Sequence, residues 1–162
     1  MEKEIKEWLH NAFYDLFNSE DNEIIDRSLR EECINHRFAC HLENNKPVNF
    51  SLYYIDMEYD KNCSDSKYIE LNGVKAAIRP DILIHRRIDD PSDNLIAFEC
   101  KKESLTKEDK DKLKQLKLDG YNYKYCIAVQ YMPRKKYFYI SFPENEFKKI
   151  KINKQDCDLN NL

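Results

Sequence analysis

Arg79-Pro80-Asp81-Ile82-Leu83-Ile84-His85 and Leu95-Ile96-Ala97-Phe98-Glu99-Cys100-Lys101 are the two runs whose reading decides the fold. Both are short, branched and apolar. Between them lies Asp89-Asp90-Pro91-Ser92-Asp93, a run of turn formers, so Ile78 to Arg87 and Leu95 to Lys102 are expected to pair as a hairpin. In a strand, side chains two apart share a face, so Glu99 and Lys101 point one way while Phe98 and Cys100 point the other. A carboxylate and an ammonium at the end of an apolar strand serve no need of folding. With Asp81 starting the neighbouring strand, its carboxylate can meet that of Glu99, and together they can hold one divalent cation. Magnesium suits such oxygen donors, because it keeps several waters and is held by one or two carboxylates plus substrate phosphate. Lys101 beside them can orient, or help deprotonate, a water that attacks phosphorus.

Working outward, Ile5, Trp8, Leu9, Ala12, Phe13, Leu16 and Phe17 recur at helical intervals, and after a polar break at 18–22 a second helix is expected from about Glu23 to Glu43. Leu29, Ile34, Phe38 and Leu42 would form its apolar stripe, and Pro47 ends it. Phe50 to Asp60 reads as a strand in which Ile55, Met57 and Tyr59 alternate against Asp56 and Glu58. Residues 61–77 read as a loop with a short strand near Lys67 to Leu71. Thr106 with Asp109 three residues on resembles a capping box, with Asp in place of the preferred Glu or Gln, so a helix is expected from about Lys107 to Gly120 with Leu113 and Leu116 inward. Tyr123 to Met132 is apolar on both faces, as a central strand is, and Tyr137 to Phe142 follows across a turn at Pro133 to Lys136. Helix, helix, three strands, helix and two strands make a single α/β domain over 1–162.

Composition excludes several chemistries. The only glycines, Gly73 and Gly120, stand far apart, so there is no glycine-spaced phosphate loop, dinucleotide fingerprint or Gly-x-Ser-x-Gly elbow. Net charge is −3, but residues 1–100 hold 12 basic and 21 acidic side chains, net −9, and residues 101–162 hold 15 and 9, net +6. A polyanion is therefore expected to meet the second part. Cysteines 33, 40, 63, 100, 126 and 157 form no Cys-x-x-Cys pair, which suggests reduced thiols and a cytoplasmic protein. No apolar run suits a bilayer, so no membrane partner is expected. Cys33, His36 and Cys40 share a helical side without a fourth ligand, which favours buried thiols over zinc.

Pro80-Asp81 followed, after seventeen residues, by Glu99-x-Lys101 resembles the PD-(D/E)xK signature of the restriction-endonuclease-like nucleases. The resemblance implies a core of one helix, three strands, a helix and a fourth strand, an αβββαβ mixed sheet flanked by helices. That order runs here from about residue 23 to 132, leaving an N-terminal helix and a C-terminal strand outside it. It further implies a nuclease that uses Mg²⁺ or Mn²⁺ to hydrolyse phosphodiester bonds, most simply as a DNA endonuclease, with Asp81 and Glu99 on the metal and Lys101 at the nucleophile. Members of the superfamily often add an acid from the preceding helix. Glu31 fits that role, since it shares a stripe with Ile34, Phe38 and Leu42 whereas Glu32 does not.

Glu58 and His85 are accessory candidates, the first as a ligand or substrate contact, the second because it shares a face with Asp81. Lys102, the stripe Lys107, Lys110, Lys114 and Lys117, and the turn Arg134-Lys135-Lys136 are the expected phosphate contacts. The eleven tyrosines show no spacing of a stacking platform. Enzymes of this size often act as homodimers, although nothing here specifies an interface. The alternative function is a non-catalytic module of the same fold that binds nucleic acid or protein.

Overall fold

Alternation along one strand organises the molecule. In β7 (Ile96–Lys101) the side chains of Ile96, Phe98 and Cys100 enter one apolar cluster, and Ala97 enters a second on the opposite face. The computed structural model describes the chain except residues 63, 64, 72, 73, 89, 119, 136, 154–158 and 160–162. Gly73, Asp89, Lys136, Cys63 and Cys157 therefore lie outside the described residues.

The first cluster is covered by α1 (Lys3–Asn18) and α3 (Glu31–Asn44), with the short α2 (Asn22–Asp26) between them. All seven apolar residues read as the inward face of the first helix are buried. Phe38 of α3 stacks on Phe13 at 4.5 Å and meets Phe98 edge-on at 5.5 Å, locking both helices to the sheet. Two buried hydrogen bonds fix the same layer. Trp8 Nε1 donates to the Leu42 carbonyl at 2.7 Å, and the Tyr131 hydroxyl donates to Asn35 Oδ1 at 2.9 Å.

The main sheet runs β1 (Tyr54–Met57), β6 (Ile82–His85), β7, β8 (Tyr125–Gln130), β9 (Tyr137–Ser141) and β10 (Ile150–Asn153). Its pairs are antiparallel except β7 with β8, which are parallel and joined by the crossover helix α4 (Lys107–Leu116). Leu113 and Leu116 of α4 pack on Leu83, Ala97, Cys126 and Ala128 to build the second cluster. The protein is thus a mixed α/β fold with a mostly antiparallel sheet flanked by helices.

Several expectations need correction. The helix expected over 23–43 is two helices, because Ser28 takes a left-handed φ of 54° and the chain restarts at Glu31. Leu29 consequently leaves the apolar stripe and is exposed. The helix expected to reach Gly120 ends at Leu116, and Gly120 serves the following turn with φ 96°. The short strand expected near Lys67 to Leu71 is β4 (Tyr68–Leu71), but it pairs with β5 (Val74–Ala77), and β2 (Lys61–Asn62) pairs with β3 (Asp65–Ser66), so the stretch expected as a loop over 61–77 holds two hairpins. The strand expected over 50–60 is shorter, and a left-handed Glu58, φ 50°, turns Tyr59 away from Ile55 and Met57 into the other cluster. β10 went unread, although Lys149-Ile150-Lys151-Ile152-Asn153 alternates strictly. Cys33 and Cys40, expected as buried thiols, are exposed and half-buried respectively, whereas Cys100 and Cys126 are buried. Among the described residues no helix is long and apolar enough to cross a membrane.

Candidate active site

Asp81 immediately precedes β6, opposite the Glu99 end of β7. Its Oδ2 accepts the Cys100 amide at 2.7 Å, which pins the carboxylate against the neighbouring strand. Glu99 shares the α4 face of β7 with Ala97 and Lys101 and is only 1% exposed. Glu31 opens α3, where a carboxylate complements the helix dipole, and its Oε2 accepts the Lys102 amide at 2.8 Å. The Asn35 to Tyr131 bond one turn later holds this end of α3 over the strand ends.

These groups meet on one ammonium. Lys101 Nζ lies 3.1 Å from Glu99 Oε1, 3.4 Å from Glu31 Oε1 and 3.8 Å from both Asp81 Oδ2 and Asp109 Oδ1. Glu99 Oε2 receives a second ammonium, that of Lys112 on α4, at 2.6 Å. Four carboxylates therefore share two lysines. Burial, reinforced by the neighbouring Asp81, pushes the Glu99 carboxyl up to about 7, against the pull of Lys112 and Lys101. Burial likewise raises Asp81, outweighing the Cys100 amide and Lys101. For Lys101 burial acts downward, but Glu99, Asp81 and Glu31 win and hold the amine firmly protonated.

Lys112 and Asp109 were missed as site residues. Asp109 was read only as a cap, and it does close the box, with Thr106 N–H donating to Oδ2 at 2.8 Å and Thr106 Oγ1 accepting from the Asp109 amide at 3.1 Å. Its other oxygen faces Lys101. A signal existed: Lys112 stands three residues after Asp109 and directly before the buried Leu113, beside the inward face of α4.

Other expected residues stand elsewhere. Glu58 ties down the Asp81 loop through its amide, which donates to the Asp81 carbonyl at 3.0 Å, while its carboxylate pairs with Arg79 at 3.4 Å. His85 shares a face with Leu83 but belongs to a second buried cluster. Its Nε2 lies 2.8 Å from Asp56 Oδ2, and Arg87 Nε donates to the same oxygen at 2.7 Å. Tyr59 meets the His85 ring at 4.7 Å. Of the lysine stripe, Lys107 is exposed, Lys110 and Lys114 lean over the Phe147 ring, and Lys117 pairs with Glu144. Lys102 donates to the Ser28 carbonyl at 3.2 Å. Arg134 and Lys135 are exposed. Gln130, paired in register with Lys101, is buried, and its Oε1 has no hydrogen-bond partner among the described residues.

The donor set is right in kind for a hard divalent cation, being carboxylate oxygens from α3, β7, α4 and the residue before β6. Its arrangement is that of an ion-pair network. Among the described residues no group of three or more histidine, cysteine, aspartate or glutamate side chains stands in metal-binding geometry. Comparison of the chain with protein-family models, curated proteins and solved structures gave no significant match.

Proposed function

We propose that this protein is a metal-dependent nuclease with a restriction-endonuclease-like core, a DNA endonuclease of the PD-(D/E)xK kind acting in the cytoplasm with Mg²⁺ or Mn²⁺. The observation that carries the reading is the gathering of Glu31, Asp81 and Glu99 around Lys101 at the end of a buried strand. Gathering more carboxylates than ammonium groups at a largely buried strand end is costly, and a bound cation would offset that cost.

In this reading Glu31, Asp81 and Glu99 would hold the cation, which would neutralise phosphate oxygens and acidify water. Asp81 keeps its orientation through the Cys100 amide, and Glu31 through the Lys102 amide. Lys101, held protonated by the three carboxylates, would donate to the phosphate or to the attacking water. Lys112 balances part of the Glu99 charge.

Purified protein is expected to cleave DNA with Mg²⁺ or Mn²⁺ and to lose cleavage in Asp81→Ala and in Lys101→Ala. An assay over single-stranded, double-stranded and branched DNA, with RNA alongside, decides it; cleavage that survives both substitutions overturns the reading. A second reading, a non-catalytic module binding nucleic acid or protein, is favoured by one observation. Glu99 already has two ammonium partners, which balance its charge without a metal. In that case Mg²⁺ leaves the melting temperature unchanged.

A further inference from the structure

We propose that β9 and β10 carry a ladder of tyrosines and lysines that docks an unpaired nucleic-acid strand beside the carboxylate cluster. The inference rests on the nucleic-acid reading above and specifies which form of the polymer the site takes.

Register places the ladder. Lys101 pairs with Gln130, Gln130 with Tyr139 and Tyr139 with Lys151, in one row across four strands. Residues paired in this way project to the same face. Tyr139 is thus two strand spacings from Lys101, about 10 Å. Helix α4 packs over β7 and β8, and beyond it Tyr137 and Tyr139 are half-exposed. Their ring centroids are 5.4 Å apart with planes inclined by 58°. The Lys149 ammonium lies 5.1 Å from the Tyr139 ring and that of Lys151 4.1 Å from the Tyr137 ring. Ile150 and Ile152 point to the other face, into the main core.

Chemistry selects the occupant. From Phe147 to Asn153 the chain has three lysines and no acid, so an anion is favoured, and phosphates would draw the ammonium groups off the rings. The rings then offer π-faces to bases. A duplex keeps its base faces stacked and hidden, whereas an unpaired strand can lay them on tyrosine. The inclination of the rings suits bases held one at a time.

The test measures binding without cleavage. Full-length protein in EDTA is titrated into fluorescein-labelled oligothymidylate, and separately into a labelled duplex, with fluorescence anisotropy as the readout. The single strand is expected to bind more tightly than the duplex. Tyr137→Ala with Tyr139→Ala should weaken it about tenfold or more, and the corresponding Phe pair should retain it. Lys149→Gln and Lys151→Gln should each reduce the slope of log K against log salt by about 0.7. Absent single-strand binding, preference for the duplex, or tyrosine and lysine variants that bind as the parent does would each overturn the ladder. Should the alanine pair fail to fold, the lysine variants decide. Tyrosine-dependent binding by a protein that never cleaves upholds the ladder and removes the nuclease; cleavage with tyrosine-independent binding does the reverse.

Discussion

Two charged clusters are buried against the same face of the sheet, and they balance their charges in opposite ways. Around His85, one carboxylate, Asp56, is shared by His85 and a two-pronged Arg87, and these partners bring Asp56 below its usual range despite burial. Around Lys101, four carboxylates divide two ammonium groups, and burial lifts Glu99 and Asp81. The first cluster is complete as it stands. The second has room for more positive charge, which is why only the second is read as a site.

The largest effect that could break this comparison is on cleavage. Asp81→Ala and Lys101→Ala should each reduce Mg²⁺-dependent cleavage by at least about 10²-fold, whereas Asp56→Ala should leave its rate near that of the parent. Equal losses would show that the clusters act as one. Next comes stability. Asp56→Ala leaves the buried His85 ring without its carboxylate partner and the half-exposed Arg87 unpaired, and should cost about 1–2 kcal/mol in urea unfolding.

The pH responses should also have opposite signs. The Glu99 carboxyl is raised from 4.5 to about 7, so the native state holds a proton that the unfolded chain has lost, and this group erodes stability as pH climbs through that window. Glu99→Gln should remove that erosion, on the order of 2 kcal/mol, in denaturation curves from pH 4.5 to 7. His85 is depressed from 6.5 because burial outweighs Asp56, so its neutral form is favoured in the fold and its contribution is lost as pH falls below 6.5. His85→Asn should flatten the acid side of the profile; a profile that keeps its slope there contradicts the assignment. Smallest, Thr106→Ala removes the cap that holds Asp109 toward Lys101 and should lower stability by about 1 kcal/mol by thermal melting.

Much of this cluster is legible in the sequence. Glu99 and Lys101 share a strand face by period two alone, Asp81 comes to the neighbouring strand by a turn rich in Asp and Pro, and Glu31 lies on the inward stripe of its helix. Lys112 and Asp109 were harder. Helical spacing sets the faces of α4, but only docking on β7 tells which edge of the inward face meets Glu99. Tyr137 and Tyr139 show the same limit from the other side. Two tyrosines at i and i+2 look like ordinary strand residues until β10 brings Lys149 and Lys151 over them.

What the sequence determined by itself is therefore local and periodic: the inward face of α1, the hairpin, the capping box of α4, and the pairing of carboxylate with lysine on β7. Those follow from backbone sterics and apolar spacing, which act over a few residues. Tertiary structure decided the rest, namely the left-handed break at Ser28 that puts Glu31 at a helix start, the second lysine on Glu99, and the separation of His85 from the carboxylate cluster. Each depends on which element lands beside which, and on how much water that contact removes. Burial lifts Glu99 to about 7, whereas at Asp56 the hydrogen bonds from Arg87 and His85 outweigh burial and hold the carboxyl below its usual range.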